Sequence, residues 1–359
     1  MSWRVTLRVN RPASPTVGGV NRRILTLIVA IVPIIAFGVL MSAVTVPYVA
    51  LGPGPTFNTL GEVDGKQVVD IKGTPVKPTS GNLNMTTVAQ SDGLTLGQAL
   101  ALWASGREQM VPRDLVYPPN KSKSDVEKAN NTDFKNSEKD AEFAALDYLK
   151  YPKAVTVESV ADNGPSAGKL QPGDAIDLVN GVEVADVAQF TDLLKKTKPG
   201  DEVVIDYRRK NQPIGTTTIT LGSNKDREYG YLGTGVLNAP WAPFTVDFNL
   251  ANIGGPSAGL MFSLAVVDKL TTGDLNNGKF VAGTGTIGSD GKVGPIGGIA
   301  HKMLAAREAG ATVFLVPAGN CTEAAAAHQD GLRLVKVDTL AGAVDALHTL
   351  SAGGEPPHC

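Results

Sequence analysis

Hydrophobic and polar positions along this chain change period several times, and each change marks an element. Ile24 to Val46 is a run of 23 residues without a charge, long enough to cross the hydrocarbon core of a bilayer as a helix. Pro33 lies inside it and predicts a kink, which membrane helices tolerate. Val68 to Ile71 and Leu83 to Ala89 read as strands, and Leu96 to Ala104 as an apolar helix. Pro112 to Asn136 is polar, charge-rich and punctuated by Pro118 and Pro119, which predicts an excursion that adds little core. Ser137 and Asp140 have capping-box spacing and predict a helix over Ala141 to Leu149. Val155 to Val160 alternates like a strand, Asn180-Gly181 predicts a tight hairpin, Val187 to Thr197 fits an amphipathic helix, and Glu202 to Arg209 a strand. Leu260 to Val267 is an apolar run, Phe280 to Ala282 a short strand, and Ile299 to Ala309 a helix that Gly310 ends. No internal repeat of fixed period is present.

Composition narrows the setting. The 359 residues leave room for two modest domains after an anchor. With 33 basic and 35 acidic residues there is no basic face or tail to suggest nucleic acid. Arg4, Arg8, Arg11, Arg22 and Arg23 precede the apolar run, and the first acidic residue is Glu62. The positive-inside rule therefore predicts a cytoplasmic tail over 1–23, a membrane span over 24–46 and an extracytoplasmic remainder. A cleaved signal peptide is the rival; its apolar core would be shorter, and Tyr48 spoils the small-residue site ending at Ala50. Cys321 and Cys359 are the only cysteines; they can pair, Cys321 can be an activated thiol at the helix start after Asn320, or it can be a small buried or half-buried side chain.

Candidate chemistry gathers at Gly254-Gly255-Pro256-Ser257-Ala258-Gly259. Pro256 suits a first helical position, which puts Ser257 in the first turn among free N–H groups and a positive dipole end. Backbone at Gly254, Gly255 and Ala258 can then meet a substrate or an oxyanion. A capping serine in a glycine-rich helix start gives the same pattern. Lys302 shares a helical stripe with Ala305, Ala306 and Ala309, while His301, Arg307 and Glu308 point elsewhere. Burial on that stripe lowers an amine from its free pKa of about 10.4 and lets it take a serine proton; a snorkelling lysine fits the stripe as well.

Other motifs carry less. Gly164-Pro165-Ser166-Ala167-Gly168 nearly repeats the serine motif but has no buried helix behind it and no lysine at comparable spacing, so it reads as a turn. Gly273 to Phe280 has the glycines and lysine of a phosphate-binding loop, yet ends in Phe280 and follows a helix where a strand is needed. No nucleotide or other cofactor is expected. His301 next to Lys302 would permit a triad with an aspartate, but it falls on the polar side of its helix. His328, His348 and His358 are scattered, and no metal site is expected.

Gly254 to Gly259, Thr284-Gly285, Pro295-Ile296-Gly297-Gly298, Lys302 to Ala306 and Val313 to Pro317 together resemble the proteolytic domain of Lon proteases. The resemblance implies a Ser257 nucleophile, a Lys302 general base and a Thr284 hydroxyl orienting the amine. Many Lon enzymes have an aspartate where this chain has Gly254; that acid is outside the dyad, so its loss bears on regulation. Residues 153–222, through Gly168, Leu170, Pro172-Gly173-Asp174 and Asn180-Gly181, resemble a bacterial PDZ domain, whose groove would lie between the helix around Gln189 to Leu194 and a neighbouring strand. The expected fold is α+β: a transmembrane helix, a small β-rich PDZ-like domain and a Lon-type proteolytic domain over 226–350, with 53–150 packing with or belonging to the latter. Expected partners are protein or peptide substrates, the membrane and, by resemblance, further copies in a homo-oligomer. The PDZ unit is expected to recruit substrate or gate the site; a module that only props the protease domain or caps its cleft is the rival. Two other functions stay open: a catalytically silent peptide-binding scaffold or chaperone, and a signalling protease that cuts one partner.

Overall fold

A computed structural model describes residues 21–251 and 253–359. The basic tail as far as residue 20 and Asn252 lie outside the described residues. Helix α1 (Arg22–Ala43) contains Pro33, buries no residue, and starts where the Asn21 side chain accepts from the Arg23 N–H. By length and composition it can cross a membrane; a signal sequence meets the same criterion. It stops short of the predicted Val46, because Val44 is already extended and Thr45 bridges Thr95.

Strand β1 (Tyr48–Asn58) is followed by the small hairpin of β2 (Glu62–Val63) and β3 (Lys66–Gln67), then β4 (Val69–Lys72) and β5 (Asn82–Ser91). Next come α2 (Leu96–Ser105), whose capping box joins Thr95 and Gln98, β6 (Gln109–Pro112) and the short α3 (Arg113–Val116). The polar stretch expected to be an excursion is instead most of α4 (Lys123–Tyr148), a 26-residue helix. Its capping box is Ser122 and Asp125, not Ser137 and Asp140. Ser137 is buried in mid-helix, and Phe134 meets Phe262 edge-on at 5.8 Å between ring centroids. The difference has a physical source: apart from half-buried Val126 the first two turns of α4 are exposed and carry no apolar stripe, so its core-facing pattern begins only at Phe134.

The next unit holds β7 (Lys153–Val160), β8 (Ala175–Val179), β9 (Val182–Glu183), α5 (Val187–Leu194), β10 (Glu202–Arg208), β11 (Gly215–Thr220), β12 (Gly222–Asn224), β13 (Arg227–Tyr231) and β14 (Thr234–Pro240). Its sheet runs β11-β10-β8-β7-β14. Thus β14 joins this sheet through a seven-residue pairing with β7, and the sheet continues past residue 222. Asn180 and Gly181 both have positive φ (51° and 78°), as a two-residue hairpin with this twist requires. Its own core includes Val155, Ile176, Phe190, Val203, Ile205 and Ile219.

After β15 (Thr245–Phe248) comes α6 (Gly259–Leu270), buried from Gly259 through Lys269. Then follow β16 (Phe280–Gly283), β17 (Thr286–Ile287), β18 (Val293–Gly294), α7 (Ile299–Glu308), β19 (Val313–Pro317), α8 (Cys321–Ala326), β20 (Arg333–Val337) and α9 (Leu340–Ser351). The central sheet has the order β20-β19-β16-β5-β1-β6. It is parallel from β20 to β5 and antiparallel beyond, so strands from before and after the smaller unit share one sheet. Alternation sorts its side chains: Val281, Val313 and Leu315 join the core with α4, α6 and α9, while Ala282, Phe314 and Val316 join the one with α7 and α8. The architecture is mixed α+β. Cys321 and Cys359 form a disulfide across a sequence separation of 38, so Cys321 is neither a free thiol nor simply a small side chain.

Candidate active site

The turn bearing Ser257 is shaped by three neighbouring segments. Gly255 has φ of +83°, a conformation that L side chains rarely adopt. Its N–H donates to the Asn130 carbonyl of α4 at 2.8 Å, and Ser137 Oγ donates to the Pro256 carbonyl at 3.0 Å. At Gly254 a Cβ would come within 2.9 Å of Asn130 Cβ, so α4 occupies the space an acidic side chain would need. The Ser257 carbonyl accepts from the Gly285 N–H at 3.0 Å and from Thr284 Oγ1 at 3.1 Å. With that carbonyl drawn sideways, α6 starts at Gly259 with Ala258 as its cap. Ser257 therefore precedes the first turn, contrary to the expectation from Pro256.

Lys302 arrives from the other side of the sheet. Gly298 caps α7 with a left-handed φ of 69°, and Ile299, Lys302, Met303, Ala305 and Ala306 are buried. Ala309, expected on the same stripe, is exposed because it lies past the last turn. The lysine is 3% exposed. Its Nζ lies 2.7 Å from Ser257 Oγ and 3.0 Å from Thr284 Oγ1. Burial pushes its pKa down to about 8, with no carboxylate to oppose the shift.

The hydrogen-bond directions then follow from the inventory of protons. Thr284 has one hydroxyl proton and gives it to the Ser257 carbonyl. Its oxygen is left to accept from the Lys302 amine. A neutral amine with one N–H directed at Thr284 turns its lone pair toward Ser257 Oγ–H. Such a pair can raise the nucleophilicity of the serine without histidine or metal.

Ser257 is half-buried and lines a cavity of about 680 Å³ whose walls include Met85, Val88, Ile253 and Ile296. Of the three positions expected to offer backbone to an oxyanion, Gly255 has its N–H occupied by Asn130. Among the described residues, the Ala258 and Ser257 N–H groups have no acceptor, and both adjoin Oγ in sequence. Asn130 and Ser137 show no sequence signal of a role at the site, because a backbone carbonyl has none and Ser137 has the spacing of a helix cap although it lies in mid-helix.

Other candidates are placed elsewhere. Ser166 is fully buried, and its hydroxyl donates to the Leu232 carbonyl at 2.6 Å. His301 is half-buried and lines a separate hollow with Trp103 and Arg107. Among the described residues, no group of three His, Cys, Asp or Glu is arranged to hold a metal ion. Beside the helix expected to border a peptide groove, the Val187 N–H at the start of α5 donates to Asn238 Oδ1 of β14 at 3.0 Å, which ties together one end of that seam.

Two family models match the chain. The Lon protease (S16) C-terminal proteolytic domain matches residues 252–348, and the PDZ domain matches residues 126–220. The chain contains a PDZ domain and a Lon-type proteolytic domain. Lon protease of Roseiflexus castenholzii is 45% identical over 69 residues, 19% of this chain and 8% of that protein. Lon protease 2 of Bacillus subtilis is 33% identical over 95 residues, 26% of this chain and 17% of that protein. This chain therefore covers less than a fifth of either relative. The PDZ domain of an SdrC-like protein from Listeria monocytogenes, a crystal structure, is 30% identical and covers 23% of this chain and 86% of that one, with a TM-score of 0.22.

Proposed function

We propose that this protein is a membrane-anchored serine endopeptidase that works without ATP and cleaves exposed or unfolded polypeptide outside the cytoplasm. The observation that carries the reading is the 2.7 Å contact between a buried amine and a serine hydroxyl on the wall of a substrate-sized cavity. Lys302 Nζ takes the proton as Ser257 Oγ attacks the scissile carbonyl. The resulting oxyanion accepts from the Ala258 N–H, with Ser257 N–H beside it. Collapse breaks the C–N bond, the ammonium of Lys302 protonates the departing amine, and an acyl-enzyme remains. Water then attacks the ester, giving its proton to Lys302, and Ser257 Oγ leaves with that proton.

Thr284 orients the amine in this scheme, and Gly254 lets the serine turn pack close against Asn130 of α4. The protease unit draws on β1 and β5 as well as on the segment after β14, with the PDZ unit inserted between. That unit recruits substrate or gates the site, and several copies assemble into a homo-oligomer. α1 spans the membrane with residues before it in the cytoplasm. A disulfide at Cys321–Cys359 supports an oxidising compartment for the remainder.

The test is covalent labelling of the full chain in membranes with a serine-reactive fluorophosphonate. Labelling at Ser257 is expected and should vanish in Lys302→Ala. A chain that neither labels nor cleaves an unfolded polypeptide would instead be a silent peptide-binding scaffold.

A further inference from the structure

The helix α2 has no role in the chemistry and an unusual surface. From Gly93 to Gly106 the chain carries no charge. One face of α2 packs inward: Ala99, with Leu102 beside it, joins Ala50, Leu94 and Met110 in a small core. Adjoining that face, half-buried Leu96 and exposed Leu100 and Trp103 stand at i, i+4 and i+7, one stripe of a helix. Leu100 is 45% exposed and Trp103 66%. Close by in the chain path, Val44, Tyr48 and Leu115 are also exposed, Leu115 by 75%.

What could cover that face is fixed by where α2 is attached. The Leu96 N–H donates to the Val44 carbonyl at 2.8 Å and the Val46 N–H to the Leu94 carbonyl at 2.9 Å. At Gly97 a Cβ would lie 3.1 Å from the Met41 carbonyl oxygen, so the first turn of α2 rests directly on the last turn of α1. The 22 residues of α1 rise about 33 Å, against about 30 Å of hydrocarbon, which brings Met41 to the outer boundary of the bilayer. An apolar helix fastened at that depth, ending in an exposed tryptophan, meets lipid before it meets anything else.

We infer that α2 is a second membrane contact: it lies in the outer interface, with Leu96, Leu100 and Trp103 among the lipid headgroups and upper acyl chains. This rests on the reading of α1 as a membrane span. Arg107, at the end of α2, makes a two-pronged ion pair with Glu308 of α7 at 2.7 and 2.9 Å. The helix that carries Lys302 is thereby referenced to the bilayer surface, and substrates are taken from the layer next to it.

The chain has three tryptophans, so the emission of Trp103 is isolated by difference between the full-length protein and Trp103→Phe. Both are reconstituted in phosphatidylcholine vesicles with or without lipid brominated at carbons 6 and 7. The Trp103 component should lose roughly half its intensity, as expected for a ring about 5–10 Å into the interface. Lipid brominated at carbons 11 and 12 should quench it less. Alkaline extraction of the same vesicles separates the two readings. A chain that stays with the membrane while Trp103 is unquenched overturns the α2 contact alone, whereas release of the whole chain removes the span and this inference with it. Trp103 emission unmoved by bromolipid but dependent on protein-to-lipid ratio assigns the face to a second copy and also overturns the proposal.

Discussion

Gly164-Pro165-Ser166-Ala167-Gly168 and Gly255-Pro256-Ser257-Ala258-Gly259 are the same five residues in two surroundings. In the smaller unit the turn closes on itself: the Lys169 and Leu170 N–H groups both donate to the Ser166 carbonyl. The Ser166 hydroxyl is sealed from solvent and spends its proton on the Leu232 carbonyl. The neighbouring Lys169 reaches instead to the Thr218 carbonyl. In the larger unit the serine carbonyl is pulled toward Thr284 and Gly285, the hydroxyl faces a cavity, and its partner is a buried amine. A hydroxyl bonded to a backbone carbonyl stabilises a fold; one bonded to a buried amine can give up its proton once that amine is deprotonated. Tertiary surroundings alone separate the two.

The sharpest way to break this contrast is to delete each hydroxyl. Ser257→Ala should lower kcat/KM on an unfolded polypeptide by roughly 10⁴–10⁶-fold. Ser166→Ala should leave kcat/KM within about threefold, a change small in free energy. Comparable losses in both variants would end the distinction.

The next effect is on pH dependence. Because Lys302 titrates near 8 in the folded protein, the neutral base grows as pH rises toward that value. kcat/KM should therefore climb about tenfold per pH unit below 8 and level off above it. That limb should be missing from the residual activity of Lys302→Ala. A smaller loss, on the order of 10–100-fold in kcat with KM little changed, is expected for Thr284→Val, which frees the amine from its orienting oxygen.

Stability should respond with opposite signs at the two places. Removing the Ser166 hydroxyl leaves a buried carbonyl without its donor and should cost about 1–2 kcal/mol in denaturant unfolding. Lys302→Met should instead stabilise, by ~3 kcal/mol at pH 7, since it removes a buried amine whose pKa has fallen from about 10.5 to about 8. Between these values the unfolded chain binds more protons than the folded one, so wild-type stability rises with pH and the gain from Lys302→Met shrinks toward pH 10.5. A gain that does not vary over pH 7–10.5 would show that the amine is solvated in the folded protein.

Much of the site was legible because its signals are local. Helix-start chemistry placed Ser257 near a buried helix, and helical periodicity set Lys302 among small residues. The turn at Asn180-Gly181 follows the same kind of short-range rule, whereas the pairing of β14 with β7, which carries the sheet past residue 222, joins distant segments and was not legible. Less legible was α4. Its N-terminal half has a capping box but no apolar face, and its contribution to the site is made by a backbone carbonyl, Asn130, and by one mid-helix serine, Ser137. Backbone atoms carry no sequence signature, so the loss of the Gly255 N–H from the set of free donors could not be anticipated. Pairing of Cys321 with Cys359 had the same character: the chain end meets α8 only after Lys336 N–H bonds the Pro357 carbonyl and His358 bridges Val335.

The sequence by itself determined the elements: a charge-free span, an α+β pattern, a serine at a glycine-rich helix start and a lysine on a stripe of alanines. These depend on periodicity and propensity, which act over a few residues. Only the tertiary structure decided which of two identical serine turns faces a cavity, that the amine lies 2.7 Å from the hydroxyl, and that burial lowers its pKa. Those outcomes require α4, α6, α7 and the Thr284 loop to converge through contacts that span 18 to 119 residues of sequence, and desolvation exists only once they have closed around the amine.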